Sequence, residues 1–204
     1  MWRIFLISII LLSLLNCSAE ERIVIGAVLP LTGEAAEYGL SAQRGIDLAV
    51  KEVNQRAFLN GKLVVVYADS RCDSFIATRE AQNLIAANGL RIVIGDLCTE
   101  STSALADVAR QNTAVVITPA HHGEVFSITP SGIDARDLSR GTPVFQELYR
   151  RVYGEEPDVF AAQSYDAVKA AAEALKDHRT ARDIRTFLQN YTVDGMSGRI
   201  NFGG

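Results

Sequence analysis

Cysteine is scarce in this chain, and its placement excludes a metal centre. Three cysteines, Cys17, Cys72 and Cys98, occur in 204 residues. None forms a Cys-x-x-Cys pair, and the adjacent His121 and His122 have no ligand partner one helical turn away, so no zinc-type set is expected. Catalytic signatures are missing too. No Gly-x-Ser-x-Gly elbow, G-x-G-x-x-G turn or P-loop follows any apolar run. Serines, histidines and aspartates show no spacing that suggests a triad, so neither an enzyme nor a cofactor is expected. Basic charge is in deficit: 20 Lys+Arg face 24 Asp+Glu, for a formal net charge of −4. That balance argues against a nucleic-acid partner, which needs a basic face. There is no internal repeat or low-complexity run. Beyond the first 20 residues no segment is apolar enough to span a bilayer.

What is present begins at the N-terminus. MWRIFLISIILLSLLNCSAEE places Arg3, an apolar run from Ile4 to Leu15 and small residues ahead of Glu20-Glu21-Arg22. This order is a secretory-signal pattern and predicts export to the periplasm. Two processing routes fit. Cleavage after Ala19 would release a soluble chain with 19 Lys+Arg against 24 Asp+Glu, net −5, since only Arg3 is lost. Alternatively, Leu14-Leu15-Asn16-Cys17 resembles a bacterial lipobox that would leave a lipid-anchored Cys17, although Asn16 fits poorly before that cysteine. In an oxidising compartment the two remaining cysteines are expected to pair as a Cys72–Cys98 disulfide. Its loop would stabilise the fold by about 3–4 kcal/mol in the chain-entropy model.

The length suits one domain, or one and a half. From Arg22 the chain alternates. Arg22–Val28, Lys62–Ala68, Arg91–Ile94 and Ala114–Ile117 are short, continuously apolar and β-rich. Tyr38–Ala57, Ser74–Asn88 and Ser101–Gln111 carry helical stripes, the second ending at Gly89. Such βαβ alternation predicts a parallel, doubly wound α/β sheet with ligands outside the carboxyl ends of its strands. Those ends are Leu29–Glu37, Asp69–Asp73, Gly95–Glu100 and Thr118–His122. Further on, Ser131–Arg140 reads as a polar loop. Helices are expected at Pro143–Tyr153, from Asp158 to about Leu175, and at Thr180–Gln189. Ser197–Phe202 reads as a last strand or hairpin arm.

The rhythm breaks in VVITPAHHGEVFSITP, Val115–Pro130. Only Thr118–Gly123 separate one strand from the next candidate, Glu124–Ile128, whereas a parallel crossover needs a dozen residues or more. Two solutions fit. Either the second segment returns antiparallel, or the two are hinge strands that led to a second lobe and back.

Several stretches carry a resemblance: GAVLPLTGEAAEYG, GIDLAVKEVN, YADSRCD, VIGDLCTEST, VVITPA, FQELYRRVYGEEPD, YDAVKAAAEAL and DGMSGRINF. In content and order they resemble the periplasmic solute-binding proteins of the branched-chain amino acid type, which have the type I binding-protein fold. The resemblance implies two α/β lobes that close on a ligand, and family members often carry a disulfide where Cys72 and Cys98 stand. All the matching stretches belong to the first lobe or the hinge. Residues 20–204 therefore resemble a single lobe with a deletion seam near 120–124 and a short C-terminal end. The implied activity is solute binding for an ABC importer of branched-chain or related amino acids or amides. The implied partners are a small amino-acid ligand and an ABC permease in the inner membrane. Alternatively, a lone lobe that exposes its cleft face to self-association is a non-binding interaction or dimerisation module, or a degenerate family member.

The resemblance also implies site residues. Leu97, Cys98 and Thr99, at a helix N-terminus, suit an amino-acid α-carboxylate. Ala120 corresponds to a backbone ligand contact. His122 stands where the family has Ser or Thr. Tyr38 matches an aromatic that packs on ligand, and Glu124 lies near the family's acidic clamp. Each has a simpler reading as well. Thr99 suits capping of the third helix, and Tyr38 a rim position. The two histidines suit a solvated turn, and Glu124 an edge-strand charge. Phe160 and Tyr165 fall on a core stripe.

Overall fold

The computed structural model describes residues 21–120, 126–127 and 141–202. The expected signal segment, His121, His122, Glu124 and the polar stretch 131–140 lie outside the described residues.

The alternation of apolar strands and striped helices is realised as expected. Strands β1 (Arg22–Leu29), β2 (Lys62–Asp69), β3 (Ile92–Ile94), β4 (Val115–Thr118) and β5 (Phe126–Ser127) form one sheet in the order β2-β1-β3-β4-β5. Every neighbouring pair is parallel. Helices α1 (Ala36–Gln55), α2 (Ser74–Asn88) and α3 (Thr99–Gln111) connect the first four strands. Helices α4 (Pro143–Tyr153), α5 (Val159–Asp177) and α6 (Ala181–Gln189) follow β5.

Side chains alternate across the sheet with the strand period of two. Ile23, Ile25, Ala27 and Leu29 of β1, with Ile92, Ile94, Val115 and Ile117, face the layer of α1, α5 and α6. Val28, Val93 and Val116 face α2 and α3. Both faces are therefore covered, which is why these strands read as continuous apolar runs.

Local stops and starts agree with the sequence. Asp73 caps α2 by accepting from the Ile76 amide at 2.8 Å, and Gly89 ends it in the left-handed region, φ 59°. Pro143 opens α4 behind Thr142, and Gly154 closes it at φ 72°. Asp158 and Thr180 cap α5 and α6.

The second half of the chain packs on the same sheet as the first. Helix α5 lies against α1, and their backbones approach so closely at Gly45 that a Cβ there would sit 2.0 Å from the Ala161 carbonyl oxygen. Ser41 donates to Asp158 at 2.6 Å, and Tyr165 donates to Glu52 across the same contact. Tyr165 is buried in the core, as expected, and Phe160 packs partly buried against it.

One expectation needs correction. The segment after β4 does not return antiparallel: Ile117 pairs with Phe126 and Thr118 with Ser127, both in parallel. The dozen-residue minimum applies to a crossover that retraces a whole strand. Here β5 meets only the last two residues of β4. The link must step sideways by about 4.8 Å and back by about one residue, well within the reach of residues 119–125 at roughly 3.3 Å each. The final strand is a hairpin arm, one of the two forms the sequence allows. β6 (Thr192–Asp194) and β7 (Arg199–Asn201) form an antiparallel hairpin. Buried Asp166 of α5 fastens its turn, accepting from the Met196 amide at 2.9 Å and from the Ser197 amide and hydroxyl at 2.6 and 2.5 Å.

Candidate functional site

The carboxyl ends of β1 to β4 are tied into one continuous edge. Asp69, at the end of β2, accepts from the Leu31 amide at 2.9 Å, the Thr32 amide at 3.2 Å and the Thr32 hydroxyl at 2.5 Å. These bonds hold the β1 loop to β2, and they keep the Asp69 carboxyl below its ordinary pKa against the opposing effect of burial. The Cys72–Cys98 disulfide, Cα to Cα 5.5 Å, joins the β2 loop to the β3 loop. The Thr118 hydroxyl of β4 donates to the Asp96 carbonyl at 2.7 Å and accepts from the Ala120 amide at 3.0 Å.

Asp96 lies at the centre of this edge and is fully buried. Its Oδ1 accepts from the Leu97 amide at 2.5 Å. Among the described residues, Oδ2 and the Ser101 hydroxyl have no hydrogen-bond partner. Burial pushes the Asp96 carboxyl up to about 6; nearby Ser70, the Leu97 amide and Ser101 oppose that only in part. The Ser70 and Ser101 hydroxyls lie near enough to favour the charged carboxyl, but neither gives Oδ2 a well-directed bond.

Helix α3 starts from this edge. Its N-cap residue is Cys98, which makes no side-chain capping bond, and Thr99 is the first helical residue. The capping role for Thr99 is therefore corrected: its side chain is exposed, one position too late to cap. The first-turn amides of a helix have no intrahelical acceptor and carry the positive end of the helix dipole. Leu97, half-buried, and Thr99, exposed, thus border the start of this helix.

The sequence-predicted residues fall in two groups. Leu97, Cys98, Thr99 and Ala120 are brought together at the carboxyl ends of β3 and β4 through Asp96 and Thr118. Tyr38 stands on the first turn of α1, half exposed, and its ring packs edge-on against Phe160 at 5.4 Å. That contact suits a rim. His122 and Glu124 lie outside the described residues. The sequence reading missed Asp69, Ser70, Asp96 and Thr118, which hold the edge in shape. The available signal was polar residues placed directly after apolar strands.

Comparison with known proteins now decides the family. A family model described as periplasmic binding protein matches residues 22–137, more than half of the chain. The chain belongs to the periplasmic binding protein family. This is a family of non-enzymatic solute binders. The chain is 34% identical over 112 residues to the Leu/Ile/Val-binding protein of Citrobacter freundii, covering 54% of this chain and 30% of that one. It is 31% identical over 103 residues to the leucine-, isoleucine-, valine-, threonine- and alanine-binding protein of Pseudomonas aeruginosa, covering 50% and 27%. This binding-protein chain thus spans about 30% of the length of the curated relatives it matches.

Among solved structures, a branched-chain amino acid transporter substrate-binding protein from Streptococcus pneumoniae, in complex with isoleucine, aligns with TM-score 0.75 and 17% identity. That alignment covers 89% of this chain and 92% of that one. A leucine-binding protein from Thermotoga maritima aligns with TM-score 0.73 at 17% identity, covering 88% and 91%. At such identities the likeness establishes the fold, which is the type I binding-protein lobe.

Proposed function

We propose that this chain is an exported solute-binding component of an ABC importer for branched-chain or related amino acids. In this reading residues 20–204 form one wall of the ligand cleft. The carrying observation is the rigid edge around the start of α3, where the disulfide, Asp96 and Thr118 fix Leu97, Cys98, Thr99 and Ala120 in one place. The α3 amides and the Thr99 hydroxyl receive the ligand α-carboxylate. The Ala120 backbone takes a further polar contact. Tyr38 covers the ligand from the rim, with Phe160 behind it. By the sequence resemblance, His122 and Glu124 would belong to the same wall.

A single wall leaves a small ligand half solvated, whereas effective small-molecule sites bury most of the ligand surface. Every 1.4 kcal/mol of missing contact costs tenfold in affinity. The dissociation constant expected for leucine, isoleucine or valine is about 10⁻⁴ M or weaker on that arithmetic. Titration calorimetry on the full chain tests the reading, and micromolar affinity would show the one-wall geometry to be wrong.

A second reading is supported by a separate observation. Tyr38, Leu40 and Phe75 are exposed, Phe75 by 75%, and all three lie where α1 and α2 leave the carboxyl edge of the sheet. An apolar rim of this kind favours self-association through the open cleft face. Sedimentation velocity tests it: a concentration-dependent dimer that Phe75→Ser converts to monomer supports this reading, and a strict monomer at all concentrations refutes it.

A further inference from the structure

Five arginines gather at the end of the sheet opposite the candidate ligand edge. Arg91, Arg110, Arg179, Arg182 and Arg185 line one open groove of about 900 Å³, with Asp183 the acidic residue among its lining. The whole chain has 20 Lys+Arg and a net charge of −4, so this groove is a strong local reversal of sign. Arg91 directly precedes β3, and Arg110 lies in the last turn of α3. That places the groove at the amino ends of the strands.

The arginines are held in position. Arg91 donates to the carbonyls of His178 and Arg179 at 3.4 and 3.1 Å, and Arg185 donates to the Ala114 carbonyl at 3.4 Å. The neighbouring acids are largely engaged: Asp107 pairs with Arg110, and Asp183 accepts from the Thr180 hydroxyl at 2.7 Å. Burial and the positive charge of Arg179 lower the Arg91 pKa, with Glu21 opposing. Crowded like charges of this kind are relieved by an external anion.

Two further observations identify the anion. A shelf of half-buried rings adjoins the groove, with His178 to Phe187 at 4.9 Å and Phe187 to Tyr191 at 5.1 Å. The shelf and the groove share Arg182 and Asp183. Rings with one apolar and one wet side suit a membrane interface. In addition, Glu21 acts electrostatically on Arg91, so the chain enters the fold at this end. On the lipobox route the lipidated Cys17 lies four residues before Glu21, a reach of roughly 14 Å when extended.

We propose that the arginine groove and its aromatic shelf dock this protein on an anionic phospholipid surface. Guanidinium forks bind phosphate in bidentate fashion. With Asp107, Asp183 and Glu21 each offsetting one, the five arginines keep a positive excess of two, which fits more than one headgroup.

The test is co-sedimentation of the full chain with phosphatidylcholine vesicles, with and without phosphatidylglycerol. Apolar attachment of any kind falls equally on both kinds of vesicle, so the quantity read is the ratio of anionic to neutral partitioning. Each arginine near an anionic surface contributes about fivefold. The exposed pair R179Q/R182Q is therefore expected to lower the ratio roughly 25-fold, with an unchanged thermal midpoint. K51Q/R79Q removes equal charge from other surfaces and leaves the ratio unchanged. Equal losses in both double variants, or none in R179Q/R182Q, would overturn the proposal. So would saturable binding of inorganic phosphate or of polyglutamate without vesicle binding.

Discussion

Replacing Asp96 by asparagine should flatten the pH dependence of folding. Asp96 is fully buried, and its carboxyl is pushed up to about 6 from an ordinary 3.8. An acid whose folded-state pKa is raised gives a stability contribution that is complete below the unfolded pKa. That contribution is lost as pH rises through the folded pKa. The shift of about two units corresponds to about 3 kcal/mol, of which about 2 kcal/mol falls between pH 4.5 and 7.5. Asparagine keeps the Oδ1 acceptor for the Leu97 amide and removes the charge. Its amide also takes the place of the unpartnered Oδ2, beside the unpartnered Ser101 hydroxyl. Urea denaturation of both proteins at a series of pH values reads the difference directly. The D96N advantage should grow by about 2 kcal/mol over that window, or about 4–8 °C in midpoint for a domain of this size. Subtracting the curves removes Asp166, which burial also raises, and Asp69 and Glu52, which their partners lower. Parallel curves, or a variant less stable at pH 7.5, would refute the account of Asp96.

Three other perturbations follow from particular contacts. Removing the disulfide in C72S/C98S opens a loop of sequence separation 26. It should cost about 3.5 kcal/mol in denaturant unfolding, with reduced wild type behaving alike. Gly45→Ala pushes a Cβ to 2.0 Å from the Ala161 carbonyl. The α1–α5 crossing must then open, at a cost of about 1–3 kcal/mol or more, which a thermal melt will show. Thr99→Ala should change stability by under about 0.5 kcal/mol because its side chain is exposed and does not cap α3. The same change should weaken leucine binding about tenfold or more, as expected for a lost hydrogen bond to a charged group, read by calorimetry.

Much of the sheet was legible in the sequence because β1, β3 and β4 are continuously apolar and several helices have a written start or stop. Gly89, Gly154 and Pro143 stand where the helices end or begin. β6 was not legible: Thr192–Asp194 is three residues long, with two of them exposed, so it has no apolar pattern. The parallel pairing of β5 was misjudged because a rule for full crossovers was applied to a two-residue strand. At the site, Thr99 and Cys98 could be marked by their place after β3. What Asp96 and Asp69 hold together could not be read, because Thr118, Leu31 and Thr32, which bond to them, are more than 20 residues away in sequence. Only folding brings them together. The arginine groove was hidden in the same way, since Arg91, Arg110 and Arg179 are dispersed in the chain and the net charge is negative.

The most direct test of the account is calorimetric titration of the full chain with leucine, isoleucine and valine, for wild type and T99A together. The account predicts a dissociation constant of about 10⁻⁴ M or weaker for wild type and a further loss of about tenfold in T99A. Micromolar binding, or binding that T99A leaves untouched, would contradict a ligand wall built on the start of α3.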